Sequence, residues 1–233
     1  LGAFDKTLQG VIAIEDFQFI PFLYAYDYQT KQQLLRSSQN LVINQISVYV
    51  RTQDKDFYED NGFVKTDQTK NIFDEECTLY VYEWPNCHQF DNYDQVHEFI
   101  ASQKDRVYAL DNFKRFMHDL CNPQVLLKTI HIGGTNGKGS TTNYVRSVLQ
   151  KEGYKVATFT SPVLVTRLEV MRINNQHILE EEIIAYASRY MDMWLEYELS
   201  MFAIEVFIAI MYFLKHHVDF AIFEVGLGGE LDA

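Results

Sequence analysis

Hydrophobic and polar positions along the chain follow two different rhythms. Residues up to about 84 are strand-rich. Leu8–Glu15 and Phe19–Ala25 are predicted strands, and in 44–51 the apolar residues Ile46, Val48 and Val50 recur with a period of two, as on a half-buried strand. Lys31–Ser38 is a short helix candidate, 54–60 offers one or two helical turns ended by Asn61-Gly62, and Thr78–Glu83 is a further strand. Trp84-Pro85-Asn86 breaks the pattern, so a boundary is placed near 84–92.

Beyond that boundary the rhythm is helical. Val96–Ser102 and Tyr108–Leu120 are predicted helices, the second carrying Leu110, Phe113, Phe116, Met117 and Leu120 on one face. Strand, helix, strand follow: Val125–Ile132, then Thr142–Gln150 stopped by Gly153, then Tyr154–Thr160. Glu180–Glu198 and Phe202–His216 are helices by length and spacing, and Val218–Val225 is a third strand. Strands alternating with helices predict a parallel sheet covered by helices. The apolar run Met201–Leu214 is too short to span a bilayer and contains Glu205, so it reads as a buried helix.

Composition narrows the function classes. With 233 residues, 47% hydrophobic and 22% charged, the chain has enough apolar material for one or two globular domains. A formal charge of −12 argues against a nucleic-acid surface. Cys77, Cys87 and Cys121 are odd in number and not closely paired, which fits a reducing, cytoplasmic setting. Cys87-His88 has no second pair to complete a metal site. No secretory signal opens the chain, and no membrane association is expected. The chain begins without Met and stops just after a glycine-rich loop, so a fragment of a longer protein is expected at both ends.

The chemistry concentrates in His131-Ile-Gly-Gly-Thr-Asn-Gly-Lys-Gly-Ser-Thr141, between a predicted strand and a predicted helix. Glycines keep side chains away so that backbone N–H groups line a cavity, the helix directs its positive end there, and Lys138 adds a full charge. Such a loop holds polyphosphate, although Gly139 between Lys138 and Ser140 departs from the commonest phosphate-loop spacing. In an open parallel sheet, ligands bind beyond the carboxyl ends of the strands. The three strands end at this loop, at Thr160-Ser161 and at Glu224, so Lys138, Ser161 and Glu224 are expected to converge.

Gly134-Thr-Asn-Gly-Lys-Gly-Ser140 resembles the ATP loop of the folylpolyglutamate and dihydrofolate synthases, members of the Mur ligase group. The resemblance runs over about 93–233. It takes in Asn122-Pro-Gln124 upstream, Thr160-Ser-Pro162 after the second strand, and Glu224-Val-Gly-Leu-Gly-Gly229 with Leu231-Asp-Ala233. It implies an α/β, parallel-sheet ATP-binding domain of Mur ligase central type, incomplete at its C-terminus. It implies ATP held by Gly134, Thr135, Asn136, Gly137, Lys138, Gly139, Ser140 and Thr141, with Lys138 catalytic and Mg²⁺ held by Ser161 and Glu224. The implied reaction joins L-glutamate to a folate or dihydropteroate carboxylate through an acyl phosphate, carried out by a monomer. A Mur-type cell-wall ligase and a non-catalytic nucleotide-binding remnant remain alternatives. The stretch Arg167-Leu-Glu-Val170 keeps only the glutamate of the family's Phe-Asn-Glu-Arg, with Arg172 nearby as a substitute, and Phe202-Ala203 replaces a Phe-Glu pair. The family's C-terminal domain, which completes the metal site, lies beyond Ala233, so this fragment alone is expected not to complete catalysis.

Residues 1–84 weakly resemble the second half of a GNAT acetyltransferase through Phe57-Tyr-Glu-Asp-Asn-Gly-Phe63, with Tyr58 at the position of that family's proton-donating tyrosine. Tyr26–Leu35, where a coenzyme A pyrophosphate turn belongs, contains no glycine. The block is therefore read as a degenerate α+β half-domain, with 85–92 as linker and Tyr58 as a packed aromatic.

Overall fold

The computed structural model describes all residues except 1, 6, 16–18, 41–44, 84–88, 162, 164–165 and 227–233, with the backbone alone at 2–5, 7–11 and 22. Trp84-Pro-Asn86, Cys87-His88, Pro162, Gly228, Gly229 and Leu231–Ala233 thus fall outside the described residues. The chain divides into two compact units, Leu1–Asn86 and Cys87–Ala233.

The first unit contains β1 (Gly2–Asp5), β2 (Thr7–Glu15), β3 (Phe19–Ala25), α1 (Tyr28–Asn40), β4 (Gln45–Arg51), α2 (Lys55–Asp60), β5 (Val64–Ile72) and β6 (Glu75–Glu83). Its six-stranded sheet has the order β1-β2-β3-β4-β6-β5. All neighbours are antiparallel except β3 and β4, which run parallel and pair through Phe19–Ser47 and Ile20–Val48. The period-two reading of β4 holds: Ile46, Val48 and Val50 are buried, with Leu34 and Leu35 of α1 and the aromatic run Phe57, Tyr58 and Phe63 in the same core. β5 has no apolar alternation and is mostly exposed, which is why the sequence pattern passes over it.

The second unit contains α3 (Tyr93–Ser102), α4 (Leu110–Asp119), β7 (Thr129–Ile132), α5 (Lys138–Lys151), β8 (Val156–Phe159), β9 (Met171–Ile173), β10 (Gln176–His177), α6 (Glu180–Glu196), α7 (Met201–Lys215) and β11 (Phe220–Glu224). Its sheet order is β10-β9-β8-β11-β7. The three expected strands are mutually parallel, with β11 in the middle. The expectation of a wholly parallel sheet needs correction, because β9 and β10 add an antiparallel hairpin beside β8. Strands of three and two residues are too short to show a period. Two boundaries also move by four residues. Residues Pro123–Leu126 form a 3-10 turn rather than the start of β7, since proline at its first position sets a turn and leaves Val125 and Leu126 exposed. The helix α5 starts at Lys138, four residues ahead of the expected start, so the lysine lies in its first turn.

The sheet is covered on both faces. Val145 and Leu149 of α5 pack on Ile132, Val156 and Ile222. On the opposite face Phe213 of α7 meets Phe223, and Phe202 meets Phe159. The helix α7 is buried nearly all round, as its unbroken apolar run demands. Behind it Phe116, Tyr190, Trp194 and Phe207 form an aromatic cluster. Among the described residues no helix is long and apolar enough to cross a membrane.

Candidate functional site

Strand alternation decides which side chains face α5. Ile222 lies under that helix, and Phe223 lies on the α7 face, so Glu224 returns to the α5 face at the carboxyl end of β11. Ile222 pairs with Thr158, and Thr158 pairs with Arg172 of the neighbouring β9, which puts both on the same face. The first turn of α5 closes the site from above. Its N-terminal cap, Gly137, has φ of 78°, a left-handed conformation that glycine adopts without strain. A Cβ on Gly139 would sit 3.8 Å from the Glu224 Oε2, so the bare backbone there leaves the carboxylate open to the loop.

The outcome is one cavity of about 540 Å³ lined by Thr135, Asn136, Gly137, Lys138, Gly139, Ser140, Asn143, Arg146, Thr158, Thr160, Ser161, Glu169, Arg172 and Glu224. Eight of the ten residues singled out from the sequence meet there. Gly134 and Thr141 do not line it. The Gly134 carbonyl instead accepts a hydrogen bond from Lys138 Nζ at 3.0 Å, and the Thr141 hydroxyl donates to the Gly137 carbonyl at 2.8 Å, bracing the loop from behind. Sequence reasoning missed Asn143, Arg146 and Thr158. Asn143 and Arg146 follow Gly139 at spacings of four and three, the helical signal that marks one face.

Glu224 is 6% exposed, and among the described residues it meets no cation and no hydrogen-bond donor. A buried carboxylate without compensation is costly. With the Ser161 hydroxyl in the same cavity, it offers the oxygen donors that a hard divalent cation prefers. Among the described residues no group of three or more His, Cys, Asp or Glu forms a metal cluster.

The wall opposite is anchored. A 3-10 turn at Arg167–Val170 carries Glu169, and Arg167 Nη1 donates to Glu205 Oε1 of α7 at 2.7 Å. Burial pushes the Glu205 carboxyl above its ordinary value, with Arg167 opposing the shift. A carboxyl raised on folding contributes stability below its unfolded pKa and loses it as pH rises through the folded value. The melting-temperature difference between wild type and Glu205→Gln should therefore move in the variant's favour as pH rises from 4.5 toward neutrality. A difference independent of pH in calorimetric scans counts against this account of the pair.

The fold and the site define an α/β unit in which a glycine-rich loop, a helix N-terminus and a buried carboxylate face one cleft at the carboxyl ends of parallel strands. No family model matches the chain. Pairwise comparison does find relatives. The chain is 39% identical over 132 residues to the dihydrofolate synthase/folylpolyglutamate synthase of Bacillus subtilis (strain 168), covering 54% of this chain and 31% of that protein. Among solved structures, the folylpolyglutamate synthase of Thermotoga maritima superposes with a TM-score of 0.56 at 36% identity, over 60% of this chain and 34% of the other. A folylpolyglutamate synthase (FPGS) in complex with AMPPCP and folate superposes at 0.54 with 30% identity, over 60% and 37%. About half of this chain is thus homologous to the folylpolyglutamate and dihydrofolate synthases. The chain spans about a third of the length of these relatives. None of them supports the acetyltransferase resemblance of the first unit.

Proposed function

We propose that the second unit is the nucleotide-binding part of an ATP-dependent ligase that adds L-glutamate to a folate or dihydropteroate carboxylate. The observation that carries this reading is the meeting of Lys138, Ser140, Ser161 and Glu224 in one cavity, although they are spread over 87 positions of sequence. Lys138, Ser140 and the backbone N–H groups of the loop bind the phosphates. Ser161 and Glu224 hold Mg²⁺, whose charge offsets that of the phosphate oxygens. An oxygen of the acceptor carboxylate attacks the terminal phosphorus, and the bond to ADP breaks. The amine of glutamate then attacks the acyl carbon, and phosphate departs. Lys138 and the helix N-terminus stabilise charge where two anions approach. The relatives support the same chemistry: one is a dihydrofolate synthase/folylpolyglutamate synthase, and another binds AMPPCP and folate. A cytoplasmic monomer is the setting proposed for it.

Calorimetric titration of the chain with MgATP, paired with an assay for folate- and glutamate-dependent phosphate release, tests the reading. Nucleotide binding without release marks a part that needs the remainder of a longer protein, whereas no nucleotide binding overturns the proposal. In the same titrations Glu224→Gln should cut the gain in nucleotide affinity that Mg²⁺ provides by about tenfold, the scale of one lost charged contact. An undiminished gain removes Glu224 from the metal site.

For the first unit we infer an acetyltransferase-like half-domain without a working coenzyme A site. Supporting this, the parallel strands β3 and β4 flank a cavity of about 630 Å³ that includes Tyr58. Tyr58 is itself 6% exposed and packs edge-on against Phe57 and Phe63. At the N-terminus of α1, where a pyrophosphate needs free N–H groups, the Asp27 carboxylate accepts from the Thr30 backbone N–H at 2.8 Å. That bond and the Thr30 hydroxyl hold its pKa below the ordinary range. An acidic side chain in the anion position repels a second anion. Equilibrium dialysis is expected to show no retention of coenzyme A by the chain, and retention displaced by inorganic pyrophosphate speaks for a working site.

A further inference from the structure

The cavity that holds the phosphate loop has a second cationic pole that the nucleotide reading does not use. Gly139, Asn143 and Arg146 share the cavity-facing side of α5, and Arg172 enters from β9 opposite Thr158. Arg146 Nε is buried without a hydrogen-bond partner, and Arg172 is the neighbouring charge that, after burial, pushes the Arg146 pKa down. One carboxylate stands with them: Glu169 Oε2 accepts from Arg172 Nη2 at 3.3 Å, and the Glu169 carbonyl from Arg172 Nε at 3.1 Å. Two guanidinium groups against the Glu169 carboxylate leave an excess positive charge in a half-buried wall of the cavity. Like charges held close together there repel, and an anion between them relieves the repulsion.

Helix geometry sets the reach. From Gly139 to Arg146 the axis rises about 10 Å, and an arginine on a helix leans back by about one turn, or about 5 Å. The guanidinium therefore falls roughly 5 Å from the phosphate end. The two carboxylates of a single glutamyl residue, separated by four C–C bonds of about 1.5 Å, stand roughly 5 Å apart when extended. We propose that Arg146 and Arg172 seat the non-reacting carboxylate of a glutamate-terminated acceptor, placing its other carboxylate at the phosphate end of the cavity. The inference rests on the ligase reading above and deepens it. An acceptor ending in one carboxylate leaves the arginine pole unfilled, so this site selects extension of a glutamyl chain over its initiation. Both arginines are specificity residues here, acting on the carboxylate that does not react.

The test uses the 233-residue chain saturated with AMPPCP and Mg²⁺, titrated with pteroylglutamate, which ends in two carboxylates, and with pteroate, which ends in one. The expected preference for pteroylglutamate is about tenfold, the scale of one charge-assisted contact. It should shrink to about twofold or less in Arg146→Gln and in Arg172→Gln, and return in part in Arg146→Lys, which keeps the charge without the fork. Circular-dichroism melts confirm that each variant folds, and Arg146→Lys covers the case in which the glutamine variant does not. An unchanged preference in Arg146→Gln overturns the proposal. So does a parallel loss of AMPPCP affinity, which assigns the arginines to the nucleotide. If AMPPCP binds and neither pteroyl compound does, the seat and the acceptor assignment both fall, whereas failure of wild type to bind AMPPCP refutes the ligase reading itself.

Discussion

Lys138→Ala is expected to weaken MgATP binding by about 10- to 100-fold, the range set by one hydrogen-bonded charge of about 1.5–3 kcal/mol. Lys138 lies in the first turn of α5, and among the described residues its Nζ reaches only to the Gly134 carbonyl, at 3.0 Å in an exposed setting. That contact brings the ammonium over the loop without binding it strongly, so a phosphate oxygen can replace the carbonyl at little cost. The backbone N–H groups and the helix terminus persist in the variant, which is why some affinity remains. Folding should barely change, because an exposed side-chain bond contributes little to stability. Titration calorimetry beside a melting curve separates the two effects. Equal affinity in the variant and wild type, with both folded, removes Lys138 from phosphate binding and leaves the glycine-rich loop as a structural turn.

The part of this site that could be read from sequence is the part made by local chain chemistry. Glycines, a lysine and hydroxyls between a strand and a helix are contiguous, so Thr135 to Ser140 announce themselves. The meeting of Ser161 and Glu224 with the loop follows from topology, because β7, β8 and β11 are parallel and end on one edge, whereas their metal-binding role is what the family resemblance implies. What the pattern missed depends on tertiary context. Arg146 on a helix of mixed character reads as a solvated residue until the β9–β10 hairpin, laid beside β8, brings Arg172 near it. The hairpin was invisible, because five residues of strand carry no period. β5 was missed for the opposite reason: its nine residues are long enough, but the strand is at the edge of the sheet and its polar residues are exposed, so neither face writes an apolar stripe. Glycines at 137 and 139 disguised the start of α5, since low helix propensity there is overridden by the tertiary setting.

Phe207→Ala should destabilise the second unit by about 3–5 kcal/mol, a sizeable share of the stability of any single domain. Phe207 is fully buried on α7, with its ring centroid 4.9 Å from Phe116, 4.8 Å from Tyr190 and 6.1 Å from Trp194, all edge-on. Truncation removes the ring from three neighbours that belong to α4 and α6, so no single side chain can move to fill the space. Phe207→Leu keeps much of the volume and should cost about 1–2 kcal/mol, separating the cavity effect from the loss of aromatic geometry. The consequence extends to the site. α7 supports β11 from below through Phe213 and Phe223, whose rings are 5.9 Å apart, and Glu224 is the next residue. Loosening α7 therefore releases the carboxylate from its position under Gly139. Urea unfolding followed by tryptophan fluorescence gives the stability loss, and MgATP titration at low temperature, where the variant remains folded, gives the functional one. A loss below about 1 kcal/mol means that the cluster packs less tightly than its ring spacings indicate. A full loss of stability with unchanged nucleotide affinity separates the cluster from the site, and the position of Glu224 then depends on the strands alone.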